Sequence, residues 1–157
     1  MFDDLRDLYQ EVILDHGRKP RNFRRLEGAN RVARGDNPLC GDRMELFVNV
    51  TPEGRIAEAA FQGRGCAISM ASASLMTETV QGKTQAEATE LAGKFRELAM
   101  SGVCPDCGAS LADEMERLQP LAGVHEFPSR VKCATLAWHT LNAALADGAE
   151  ERKATSE

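Results

Sequence analysis

Between Arg43 and Gln62 the chain has few structural options. Met44, Leu46, Val48 and Val50 alternate with polar neighbours, which places them together on one face of a half-buried strand. Pro52-Glu53-Gly54 supplies a turn, and Arg55 to Gln62 returns with Ala57, Ala59 and Phe61 on one face. An antiparallel hairpin is the simplest arrangement. Asn30 to Ala33 is a weaker strand candidate, so the sheet is expected to be antiparallel and about three-stranded.

Helical signals surround this hairpin. Leu5, Leu8, Tyr9, Val12 and Ile13 form an amphipathic stripe within Asp3 to His16, capped by Asp3 or Asp4 and ended by Gly17 and Pro20. Ala67 to Val80 reads as a helix with Ile68, Ala71, Leu75 and Thr79 on its packing stripe and Gly82 at its end. Thr84-Gln85-Ala86-Glu87 matches a capping box, in which threonine and glutamate each satisfy a free helix-end amide. The helix it opens, to about Met100, is expected to bury Ala88, Leu91, Phe95 and Leu98. Ser110 to Leu118 reads as a short helix capped by Ser110, and Pro120 to Pro128 as irregular. A last helix from about Arg130 to Asp147 carries Val131, Ala134, Trp138, Leu141 and Leu145, with Trp138 in the core. A helix, then strands, then helices describe an α+β fold. Residues 1–148 read as one domain, and 149–157 as a charged, disordered tail.

At 157 residues the chain can bury a core without staples. A net charge of −5 and the absence of a dense basic run argue against nucleic acid as a partner. Arg18 to Arg25 is locally basic, either a solvated connector or a docking patch for an acidic partner. The acidic start Met1-Phe2-Asp3-Asp4 is unlike a signal peptide, and no apolar run approaches the ~18 residues of a membrane span. A cytoplasmic protein is expected, with no membrane partner. In that reducing setting five cysteines read as ligands or reactive thiols, and the odd count sits badly with disulfides.

Three stretches place cysteines where chemistry is available. Asn37-Pro38-Leu39-Cys40-Gly41-Asp42 puts a thiol and a carboxylate on one loop. Gly63-Arg64-Gly65-Cys66 and Ser129-Arg130-Val131-Lys132-Cys133 each put a cysteine beside an expected helix start, where free amides and the helix dipole favour thiolate. Cys40, Asp42, Cys66 and Cys133 together offer three thiolates and a carboxylate, an acceptable tetrahedral set for zinc. With 25 residues between the first two cysteines and 66 between the last two, only the fold could assemble them. Spacing alone leaves open that Cys66 and Cys133 are small buried residues. His16 and His139 read as surface or packing residues, and Met70 and Met76 as core filler.

The residues Asn37-Pro38 with Cys40-Gly41-Asp42, then Phe61-Gln62-Gly63 with Gly65-Cys66-Ala67-Ile68-Ser69, then Arg130 to Trp138 resemble the iron–sulfur cluster assembly family of IscU, NifU N-domains and SufU. The likeness runs from the first helix through Gly148, nearly the whole chain. It implies a SufE/NifU/IscU-like fold. Two features resemble the SufU branch: extra residues at about 99–123, and Lys132 where the IscU branch carries a histidine. That resemblance implies zinc held by Cys40, Asp42, Cys66 and Cys133, with a SufS-type cysteine desulfurase as partner. It implies Cys40 as the persulfide acceptor, Arg130 as an assisting residue, and downstream cluster-assembly or carrier proteins as recipients. Whether the sulfurtransferase step counts as enzymatic is open. The alternative within the family is a scaffold that builds a [2Fe–2S] cluster, or binds iron, on the same ligands and hands the cluster on. A purely structural zinc domain is a third reading, and it would unfold on losing Cys40.

Cys104-Pro105-Asp106-Cys107 departs from the family pattern. Incidental exposed thiols, a redox or accessory sulfur role, and a further metal site using His125 all remain open for it.

Overall fold

The computed structural model describes residues 2–37, 41–103, 111–146 and 152–155, with side chains from residue 9 onward except those of 152–155. Helix α1 (Phe2–Arg18) leads through a connector into β1 (Arg31–Asn37), β2 (Asp42–Val50) and β3 (Ile56–Arg64). Helices α2 (Ala67–Val80), α3 (Gln85–Ser101) and α4 (Ala112–Leu118) follow, then a 3-10 helix (Gln119–Glu126), α5 (Pro128–Ala146) and β4 (Arg152–Thr155). No described helix is long and apolar enough to cross a membrane.

The three antiparallel strands are those expected, except that β1 runs four residues past Ala33 and pairs with β2 through to Asn37 opposite Asp42. The hairpin carries one irregularity: Asn49 faces Glu58 but Val50 faces Ile56, leaving Ala57 as the extra residue of a bulge. Ala57 therefore points to solvent rather than joining Ala59 and Phe61, and Ile56 takes the core position. Strand β3 also runs two residues past Gln62, through Gly63 to Arg64. A Cβ on Gly63 would fall on the Arg43 carbonyl, so the bare glycine lets β2 and β3 stay paired up to the site.

Arg152–Thr155 adds a fourth strand parallel to β1, in a stretch expected to be disordered. Composition pointed to disorder because the segment is charged. The unpaired backbone groups of the β1 edge offer it hydrogen bonds that composition does not register. The other edge is covered too, because Phe61 exchanges backbone hydrogen bonds with Asn22 and Arg24 of the connector.

One sheet face carries the main core. There Leu46, Val48, Ile56 and Phe61 meet α2 and α5, and α3 packs on α5 through Phe95 and Trp138, stacked at 5.0 Å. Trp138 is core as expected, and Ala88, Leu91, Phe95 and Leu98 are all buried. Helix α2 is buried nearly all round rather than along one stripe. Its run of alanine, serine and threonine allows close approach, and buried hydroxyls such as those of Ser72, Thr77 and Thr79 bond to backbone carbonyls. On the other sheet face Leu26, Phe47 and Ala60 form a smaller cluster under the connector.

Helix ends differ in instructive ways. The Thr84–Glu87 capping box forms reciprocally as expected. Helix α4 starts from Leu111 in the left-handed conformation (φ 67°) with no side-chain cap, not from Ser110, which lies outside the described residues. Residues 119–126, expected to be irregular, form the 3-10 helix with Pro120 in its first turn, where a missing amide costs nothing. For the same reason α5 begins at Pro128, two residues before Arg130. His16 is a packing residue, its Nδ1 2.7 Å from the Ser74 hydroxyl.

Candidate metal centre

The site sits where β2 begins, β3 ends and α2 starts. Asp42, the first residue of β2, is buried with its side chain on the helix-covered face. The chain reverses just before it: the Gly41 amide donates to the Asn37 carbonyl at 2.8 Å, with Gly41 at φ 76°, a conformation glycine adopts freely. Cys66 caps α2 in extended geometry, and its sulfur accepts from the Ser69 amide at 3.4 Å. The Ser69 hydroxyl donates back to the Cys66 carbonyl at 3.2 Å. Two bonds fix the Cys66 helix start to the strand: its amide donates to Asp42 Oδ1 at 3.1 Å, and its thiol lies 3.8 Å from Oδ2.

Cys133 arrives from α5 and completes the group. One donor atom from each of Asp42, Cys66 and Cys133 lies within 4.8 Å of the others. Three of the four expected ligands thus converge. Cys40 falls in 38–40, outside the described residues, two positions before Asp42 in the chain.

Cys133 differs from expectation in its environment. Because α5 starts at Pro128, Cys133 is in the second turn, and its thiol donates to the Ser129 carbonyl at 3.5 Å. It is buried, and burial first, then the neighbouring Cys66 and Asp42, push its pKa far above the ordinary thiol range rather than lowering it. Two thiols and a carboxylate are packed together. This donor set fits a soft or borderline divalent cation.

Arg130 lies in the first turn of α5, exposed, and its guanidinium makes no hydrogen bond or ion pair with described residues. It is not part of the clustered group. The sequence reading quoted Gly65 and Ser69 within a motif but gave neither a place in the ligand geometry. A Cβ at residue 65 would fall on the Ser69 hydroxyl and within 2.8 Å of Asp42 Oδ1, so only glycine leaves the carboxylate its place. The Cys66-to-Ser69 spacing, three residues as in a capping box, was the available signal. Cys104 and Cys107 lie outside the described residues. His125, the extra ligand considered with them, is exposed, its ring against the backbone of Gly102.

Residues 8–155 match the NifU-like N-terminal domain. The "Iron-sulfur cluster assembly scaffold protein IscU" of Streptococcus pyogenes serotype M1 is 39% identical over 153 residues, 98% of this chain and 92% of that protein. The "Zinc-dependent sulfurtransferase SufU" of Bacillus subtilis is 41% identical over 144 residues, 91% and 92% of the two chains. Among solved structures, a putative cluster assembly scaffold for the SUF system from Fervidobacterium islandicum superposes with a TM-score of 0.77 at 32% identity, covering 86% of this chain and 94% of that one.

Proposed function

The chain belongs to the NifU-like N-terminal domain family, and on that premise we propose that it is an iron–sulfur cluster assembly protein that accepts persulfide sulfur at a zinc site. The observation that carries this reading is the convergence of Asp42, Cys66 and Cys133 within 4.8 Å. Cys40, two residues before Asp42, is the fourth ligand in this reading. The relative named a zinc-dependent sulfurtransferase, at 41% identity, supports zinc as the ion.

Bound zinc keeps the thiols deprotonated at neutral pH, which burial alone opposes at Cys133. Asp42 is the one hard donor among soft ones, and its carboxylate is held by the Cys66 amide. Cys40, beside Gly41, is the sulfur acceptor. Its thiolate attacks the outer sulfur of a persulfide on a SufS-type cysteine desulfurase. A new S–S bond forms at Cys40, the donor's S–S bond breaks, and the donor cysteine leaves as thiolate. No net oxidation or proton transfer is needed. In this reading Arg130, exposed at the start of α5, steadies the anionic sulfur, and cluster-assembly or carrier proteins receive it.

A second reading has its own support, because a relative of 39% identity is named a scaffold. Three thiolates and one oxygen equally suit the edge of a [2Fe–2S] cluster handled as cargo. Desulfurase turnover with catalytic amounts of the zinc-loaded protein separates the two. Strong acceleration that vanishes in Cys40→Ala establishes the relay. No acceleration, with cluster absorbance growing when ferrous iron and sulfide are supplied anaerobically, establishes the scaffold instead.

A further inference from the structure

Arg43 and Arg64 are direct register partners across β2 and β3. Like charges placed opposite each other on neighbouring strands are destabilising. Both are exposed, and neither forms an ion pair or hydrogen bond with a described residue. Arg43 follows Asp42 directly and Arg64 is two residues before Cys66, so the pair stands at the same end of the sheet as the metal centre, on the face opposite the buried Asp42 side chain.

Several other arginines of the chain are paired. Arg21 pairs with Asp15 at 2.6 Å and Arg24 with Glu58 at 3.3 Å, two of the five cations in the stretch read as either a connector or a docking patch. Arg34 pairs with Glu45 at 3.2 Å. Asp36, opposite Arg43 on β1, makes no ion pair with it. Residues 36, 41–43, 64–66 and 129–133 together carry Arg43, Arg64, Arg130 and Lys132 against two carboxylates, the ligand Asp42 and Asp36 opposite Arg43. In a chain of net charge −5 this is a local reversal of sign. Beside the pair, Arg34, Arg43, Glu45, Gln62 and Gly63 line a shallow groove of about 400 Å³ on the outer sheet face.

We infer that Arg43 and Arg64 form the docking point for a carboxylate-rich segment of the protein that exchanges sulfur or cluster at the adjacent metal centre. The inference rests on the proposed function for the identity of that protein, though not for the chemistry of the surface. Two unpaired guanidiniums on a rigid hairpin end present fixed forks that match carboxylates. Their cost in cross-strand repulsion is relieved when an acidic segment lies between them. Opposite charge at the rim acts mainly on the rate of encounter.

The test compares zinc-loaded wild type with Arg43→Ser/Arg64→Ser and the charge-keeping Arg43→Lys/Arg64→Lys. Association is measured with a SufS-type cysteine desulfurase and, separately, with a fluorescent octaglutamate peptide, at about 0.05 and 0.3 M salt. The serine pair should lower the association rate for both probes by about tenfold at low salt and flatten the salt dependence. Its melting temperature should hold or rise, and the lysine pair should keep most of the rate. Equal rates for wild type and the serine pair overturn the proposal. So does displacement of octaglutamate by equimolar inorganic phosphate, which would mark a small-anion site. Arginine-dependent octaglutamate binding without any desulfurase binding leaves the acidic docking surface standing and removes the desulfurase relay instead.

Discussion

The backbone amide of Cys66 donates to Oδ1 of Asp42 at 3.1 Å, joining residues 24 apart in sequence. The carboxylate proposed to hold a metal is thus also the acceptor that fixes the start of α2. Its second oxygen lies 3.8 Å from the Cys66 sulfur. Strand and helix are registered by the same side chain that completes the donor set.

Asp42→Ala should therefore do two things. The Cys66 amide loses its partner in a part-buried site, costing about 1–3 kcal/mol of stability. Zinc affinity should fall at least about tenfold, since one ligand is gone and Cys66 is no longer positioned. Competition with a chromogenic chelator measures the second effect, and urea unfolding of metal-free protein the first. Unchanged metal affinity would remove Asp42 from the ligand set.

Gly65→Ala tests the site without touching a ligand. The added methyl would meet the Ser69 hydroxyl and come within 2.8 Å of Asp42 Oδ1, so the carboxylate or the helix start must move. Weaker zinc binding is expected, with the cooperative fold retained because the main core lies around Phe61, Leu91 and Phe95. Gly41→Ala makes a useful contrast: no described residue lies within 4 Å of its Cβ, and the expected penalty is the strain of φ 76°. If the two variants bind zinc equally well, the contact at Gly65 has no bearing on the site.

Much of this arrangement was legible from local pattern. The hairpin, the capping box and the apolar faces of α3 and α5 follow from periodicity and from groups that must find partners nearby. What escaped depended on groups distant in sequence. Composition marked 152–155 as disordered, but it cannot register the open β1 edge with which these residues pair. Pro128 was read as the end of an irregular stretch, although proline is well suited to a first helical turn. Starting α5 two residues earlier moves Cys133 from the helix start into the buried second turn and inverts the expected shift of its thiol. The bulge at Ala57 likewise has no signature in a run of alanines, yet it decides that Ile56 is buried.

Acid should destabilise the metal-free protein through buried His16 and half-buried His139. Burial holds the His16 imidazole below its usual pKa, with Arg21 acting in the same direction and Glu78 and Asp15 opposing. Burial and Arg96 lower His139 in the same way. A depressed pKa means the unfolded chain takes the proton first. This stability is complete above about pH 6.5 and is lost as pH falls through the lower folded values. The melting temperature should thus stay flat from about pH 7 to 8 and decline between about 6.5 and 5, above the range where carboxylates titrate. His16→Asn, whose amide nitrogen can take the place of Nδ1 toward Ser74, should flatten part of that decline, and His16→Asn/His139→Gln most of it. An unaltered slope in the double variant would place the acid sensitivity elsewhere.

Metal removal completes the picture, because the three clustered donors come from separate elements: β2 through Asp42, the α2 cap through Cys66 and α5 through Cys133. An ion held by all three binds the folded chain and not the unfolded one. At free zinc about a thousandfold above the dissociation constant this adds about 4 kcal/mol. For a domain of this size that corresponds to roughly 10 °C in melting temperature. A strong chelator should lower the transition by that amount yet leave it cooperative, since Leu46, Phe61, Leu91, Phe95 and Leu141 are fully buried without help from the site. Cys40→Ser should give an intermediate shift and remain folded, as a sulfur acceptor whose loss is chemical would. Unfolding of Cys40→Ser at room temperature would point instead to a metal whose role is structural, and the persulfide relay would have to be abandoned.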